Sequence, residues 1–134
     1  MELTKIVVQY ADGRVIKGYT QSFSPNRPTF QIYQRYPEFL NEPIEVVVKD
    51  LKRIFFVRDF WEKRNHNGQK VFLNGSKLLG QKVEVTFKDR EVMKGSVLGY
   101  ESQRSGFFFF PDEPCSNNIK VFAVSQAVGQ LSYL

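Results

Sequence analysis

Asp12-Gly13-Arg14-Val15-Ile16-Lys17-Gly18 comes back as Asp89-Arg90-Glu91-Val92-Met93-Lys94-Gly95, each position displaced by 77 residues (Asp12 to Asp89). The same displacement carries Tyr10 onto Phe87, Arg27 onto Arg104, Phe30 onto Phe107, Pro37 onto Pro114, Asn41 onto Asn118, Val47 onto Val124 and Ile54 onto Leu131, with no gap. The chain therefore reads as two copies of one unit, residues 1–57 and 80–134, joined by a connector at 58–79.

Within each copy the hydrophobic period is two. Ile6, Val8 and Tyr10 alternate with Val7, Gln9 and Ala11, and Val83, Val85 and Phe87 alternate with Glu84, Thr86 and Lys88. That period predicts strands with Ile6, Val8 and Tyr10 turned inward. Asp12-Gly13 predicts a two-residue type I′ hairpin turn, because Gly takes positive φ freely. Arg90 replaces that Gly in the second copy at a cost of about 1 kcal/mol, so a longer turn or another type is expected there. A second strand runs from about Arg14 to Phe23 and again from Glu91 to Tyr100. Gly18 and Gly95 sit inside it, where Gly marks a bend or a close backbone approach. Three shorter strands follow, around Phe30, Ile44–Val48 and Ile54–Phe56, and around Phe107, Val121–Ser125 and Leu131–Tyr133. The expected fold class is all-β, two tandem five-stranded small barrels from an internal duplication, packed against each other. Packing is needed because so small a barrel buries only about 60% of its unfolded surface.

Composition narrows the function classes. The 134 residues include thirteen Phe and six Tyr, which favour strands, and 25% are charged. No apolar run approaches the ~18 residues of a membrane span and no apolar leader-like segment follows Met1, so a cytoplasmic protein with no membrane partner is expected. Cys115 and His66 are each the sole residue of their type. This disfavours a disulfide framework, a metal site and Cys–His or Ser–His catalysis, and no cofactor is expected. Of the net charge of +5, the connector holds Arg58, Lys63, Arg64, Lys70 and Lys77 against Asp59 and Glu62. Lys70-Val71-Phe72-Leu73 in the connector is a candidate for one extra short strand.

Strand, Asp-Gly turn, long strand with a central Gly and three short strands together resemble Sm-like and SH3-like small barrels. More closely, Asp12–Gly18, residues 54–60, Val85–Gly95, Gly106-Phe107-Phe108, Ser116-Asn117-Asn118 and Val128–Leu134 resemble an uncharacterised bacterial family of duplicated small barrels. That family accompanies PilZ and response-regulator domains, and the resemblance implies a role in signalling. Arg90 departs from the Gly expected there. Neither the Arg-Gly pair of RNA-binding Sm proteins nor the Arg-x-x-x-Arg of a PilZ cyclic-dinucleotide site is present.

Two candidate surfaces remain. Arg58, Trp61, Lys63, Arg64 and Lys70 combine cations with an aromatic, a pattern that neutralises phosphates and stacks on a base; the competing reading is a solvated connector. Phe108 and Phe110 alternate with the core-facing Phe107 and Phe109 and so point out of the second barrel. They form either an inter-barrel joint or a docking patch. Asp12, Gly13, Gly18, Asp89 and Gly95 are read as turn and bend residues. With no catalytic pair evident, the expected function is a non-catalytic adaptor that binds another protein or itself, in bacterial regulation. The alternatives are a nucleic-acid binder using the connector and a barrel face, and a small-ligand sensor between the barrels.

Overall fold

A computed structural model describes residues 4–34, 42–58, 80–97, 105–112 and 118–134. The first run of strands is β1 (Thr4–Tyr10), β2 (Val15–Thr20), β3 (Thr29–Ile32), β4 (Ile44–Val47) and β5 (Leu51–Val57). The second is β6 (Gln81–Phe87), β7 (Val92–Val97), β8 (Gly106–Pro111), β9 (Asn118–Val124) and β10 (Val128–Tyr133). A single 3₁₀ turn precedes the last strand of each run, at Val48–Asp50 and Ser125–Ala127. The fold is all-β and antiparallel. Eight strands form one sheet in the order β10-β6-β7-β8-β9-β5-β1-β2, and β3 and β4 form a two-stranded sheet. That pair reaches β2 through a bridge between Tyr19 and Tyr33. Among the described residues no hydrogen-bonded pair joins β4 to β5 or β9 to β10, so neither run is closed by its own pairings.

Pairing in the second run follows the first at the sequence displacement. Ile6↔Phe56, Val8↔Ile54 and Tyr10↔Leu51 correspond to Val83↔Tyr133, Val85↔Leu131 and Phe87↔Val128. Ile6↔Gly18 corresponds to Val83↔Gly95, and Phe30↔Val46 to Phe107↔Ala123. The alternation explains the inward sets, since Ile6, Val8 and Tyr10, and Val83, Val85 and Phe87, are all buried. In β2 and β7 the inward face holds Gly18 and Thr20, or Gly95 and Val97, while Val15 and Val92 stand about half exposed.

The hairpin turns correct the expectation from Asp12-Gly13. Tyr10 N donates to Arg14 O and Gly13 N donates to Tyr10 O, so the loop holds three residues, Ala11–Gly13. Only Gly13 has positive φ, at 101°, as in a type I turn with a G1 bulge. The second turn is neither longer nor different: Phe87 N donates to Glu91 O and Arg90 N donates to Phe87 O. Arg90 itself takes φ 81°, a left-handed conformation costing a non-glycine residue roughly 1–2 kcal/mol.

Gly18 and Gly95 are close-approach sites. A Cβ on Gly18 would lie 2.6 Å from the Tyr33 carbonyl oxygen, and one on Gly95 would run into the carbonyl oxygen of Phe110. The obstacle is backbone in both cases, so the neighbouring strand itself would have to move. Gly95→Ala should therefore lower stability by about 1–3 kcal/mol in urea denaturation, as overpacking does. An unchanged midpoint would show that β7 and β8 do not meet this closely.

Candidate functional site

The two runs meet where β5 pairs antiparallel with β9, through Arg53↔Ala123, Ile54↔Phe122, Phe55↔Val121 and Phe56↔Lys120. Side chains of a strand alternate between faces, so each of these strands serves two cores. Ile54 and Phe56 of β5 and Phe122 and Val124 of β9 enter the first core with Ile6, Val8 and Leu51. Val121 and Ala123 enter the second core with Val83, Val85 and Phe109, and Phe55 packs against it.

One side of this joint carries charge. β5 reads Leu51-Lys52-Arg53-Ile54-Phe55-Phe56-Val57, and both cations are only 5% exposed. Lys52 Nζ lies 2.6 Å from Asp89 Oδ2 and 2.5 Å from Glu91 Oε1. Arg53 Nη2 lies 2.8 Å from that same Glu91 oxygen, while its Nε donates to Gln9 Oε1 at 2.7 Å and its Nη1 reaches Met93 Sδ at 3.0 Å. The Phe87 ring centroid sits 5.0 Å from Lys52 Nζ and 5.1 Å from Arg53 Cζ, so both cations lie over that ring. Among the described residues no buried side-chain polar atom lacks a partner. The Asp89 Oδ1 atom also accepts from Glu91 N at 3.0 Å, which holds the turn bearing both carboxylates over β5.

These contacts shift the two acids. Hydrogen bonding from Lys52, then from the Glu91 backbone N–H, holds Asp89 below the usual carboxylate range. Burial works to raise Glu91, but the hydrogen bonds from Lys52 and Arg53 and their charges outweigh it, and the carboxyl is lowered overall. A carboxylate depressed in the folded state adds stability above its unfolded pKa of about 4, and that contribution disappears as pH falls through the folded value.

The opposite side of the joint is aromatic. The Phe108 ring packs edge-on to Phe122 at 5.1 Å and Phe23 at 6.4 Å, and tilted against Phe56 at 5.9 Å. Phe23, Phe56 and Phe108 line a cleft of about 270 Å³ with Thr4, Thr20, Gln21 and Lys120. Lys120 Nζ stands 4.5 Å from the Phe108 centroid and 5.2 Å from that of Phe56. The cleft is near the small end of ligand pockets and offers an ammonium above two aromatic rings among polar walls.

The residues singled out in the sequence fall as follows. Phe108 is half-buried and faces the first core; Phe110 is half-buried on β8, opposite Ser96 of β7. Asp12 is a turn residue whose Oδ1 accepts from Arg14 N at 3.0 Å, while Arg14 covers the Tyr10 ring at 4.3 Å. Arg58 is exposed beyond β5, and its carbonyl accepts from Lys5 Nζ at 3.3 Å. Trp61, Lys63, Arg64 and Lys70 lie outside the described residues. Among the described residues no group of His, Cys, Asp and Glu could hold a metal, and no helix is long and apolar enough to cross a membrane.

Sequence reasoning missed Lys52, Arg53 and Glu91. Their trace is a charge pattern that the two halves do not share. Arg14 corresponds to Glu91, and Lys52-Arg53 corresponds to Gly129-Gln130.

The model of a family of unknown function, DUF6982, matches residues 2–134. The chain belongs to this family. No curated protein and no solved structure matches it. In this DUF6982 chain the best-defined polar constellation is thus the Lys52–Arg53–Asp89–Glu91 cluster, a set of groups that neutralise one another. Its geometry holds two runs of strands together.

Glu91→Gln should cost about 1–3 kcal/mol, because nearly buried Arg53 would lose its carboxylate partner and Lys52 would keep only the half-exposed Asp89. Urea midpoints at pH 7 and near pH 3 measure it. The gap between wild type and variant should narrow in acid, because the contribution of the depressed Glu91 carboxylate is lost as pH falls below its unfolded pKa of about 4 and through its lower folded value. A gap of the same size at both values would show that the carboxylate charge is not what holds the cations.

Proposed function

We propose that this chain is a non-catalytic adaptor: two small barrels arisen by internal duplication, fused into one scaffold that presents strand edges and faces to another protein. The observation that carries this reading is the β5–β9 pairing, through which both runs share a sheet and exchange core residues. A joint so built fixes the spacing of two surfaces, which is what an adaptor needs and what flexibly tethered barrels would lack. The resemblance to duplicated barrels accompanying PilZ and response-regulator domains motivates a setting in bacterial cytoplasmic signalling.

Within this reading the charged cluster is structural. Lys52 and Arg53 are nearly buried and paired, so they do not serve as phosphate contacts. Nucleic-acid binding would have to come from Arg58 and the connector cations instead. The two functions separate in one experiment. The purified chain, immobilised, is exposed to nuclease-treated native lysate, and in parallel is titrated with single-stranded RNA and duplex DNA at low and high salt. The adaptor retains a stoichiometric protein partner after nuclease treatment. A nucleic-acid binder loses its captured material, and its affinity falls steeply with salt. That second pattern would overturn the proposal.

A further inference from the structure

The internal joint displays what the outer edge of a last strand accepts in this protein. β10 stands to β6 as β5 stands to β1: Val8↔Ile54 corresponds to Val85↔Leu131, and Ile6↔Phe56 to Val83↔Tyr133. β5 has β9 on its other side, whereas β10 ends the eight-stranded sheet with no strand beside it among the described residues. Exposure records the difference. Phe56 and Val57 are 7% and 6% exposed, while the corresponding Tyr133 and Leu134 are 55% and 70% exposed. The backbone is also presented outward. Leu134 N donates to Lys82 O at 3.0 Å, toward β6. Main-chain groups alternate sides along a strand, so Leu131 and Tyr133 direct theirs away from the sheet.

The β4 edge of a second copy is a poor occupant. The element that would fill the place of β9 is β4, and its outer edge is free among the described residues. In the joint Phe122, fully buried, lies opposite Ile54. The same register would set Glu45, an exposed carboxylate, opposite Leu131 and against the second core. A carboxylate there would be desolvated without a cation. Pro43, which corresponds to Lys120, further blunts that edge.

We infer that the outer edge of β10 is a docking site for an extended strand of another protein, antiparallel and carrying a large apolar residue opposite Leu131, and that Glu45 keeps the β4 edge of a second copy out. Main-chain hydrogen bonds to Leu131 and Tyr133 supply the common part of the affinity, and the residue opposite Leu131 supplies the selectivity. This rests on the adaptor reading for the existence of a partner, but the edge can be tested without one.

The probe is a labelled peptide of residues 118–124, Asn-Ile-Lys-Val-Phe-Ala-Val, flanked by lysines and titrated into the full chain. Saturable binding is expected, with amide-exchange protection gained at Leu131 and Tyr133. Replacing the peptide's phenylalanine by glutamate, the Phe122→Glu form that imitates β4, should weaken binding by about tenfold or more. Tyr133→Pro in the protein should do the same, since it removes an outward N–H and no internal hydrogen bond. Equal binding of both peptides, no binding, or loss of protection in β9 in place of gain in β10 would overturn the inference. So would wild-type self-association that Tyr133→Pro abolishes. If Tyr133→Pro leaves capture from lysate intact, the adaptor reading stands and the edge assignment falls.

Discussion

Because the antiparallel pairing of β5 with β9 sends alternate side chains of both strands into two different cores, neither core is complete without residues from the other run. Phe122 is fully buried in a core built mostly from β1, β3, β4 and β5, and Phe108 packs beside it. Burying a Phe of this kind contributes roughly 1.5–3 kcal/mol. A unit as short as either run alone buries too little surface to offset its ordering entropy comfortably. The shared strands turn two marginal cores into one cooperative structure.

The charged cluster adds selectivity to that joint. Two nearly buried cations on adjacent residues of one strand are costly to desolvate, and replacing such groups by apolar ones is often neutral or stabilising. What the cluster supplies is a unique match. Among the described residues, Lys52 and Arg53 find carboxylate partners only when the β6–β7 turn brings Asp89 and Glu91 over them. The corresponding turn of the first run carries Asp12 and Arg14, which pair with each other in the open at 3.0 Å. A first-run turn placed against β5 would bring Arg14 toward two cations. This asymmetry orders the two runs, and the strained Arg90 sits in the turn that provides it.

Much of this architecture was legible in the residues. The alternation in Ile6-Val7-Val8-Gln9-Tyr10 gave the inward set, and the 77-residue correspondence anticipated pairings that follow the same displacement. The parity of Phe107–Phe110 turned Phe108 away from its own core. The turn type was not legible, because Gly serves equally as the second residue of a type I′ turn or the bulge residue of a three-residue loop. Only the Tyr10–Arg14 hydrogen bond separates them. The charged cluster was hidden for a different reason. Lys52 and Asp89 are far apart in the chain and belong to different runs, so local periodicity holds no sign of their contact. The Arg14-to-Glu91 charge reversal was the available clue, and it names a partner only once β5 is known to lie under that turn.

Whether the joint makes one structure of the two runs is read most directly by differential scanning calorimetry of the full chain at neutral pH. A single transition is predicted, with calorimetric and van't Hoff enthalpies equal to within about 10%, as for an all-or-none domain. Two resolved transitions, or a calorimetric enthalpy near twice the van't Hoff value, would mean that the runs unfold independently. The β5–β9 pairing would then not be the interaction on which the structure depends.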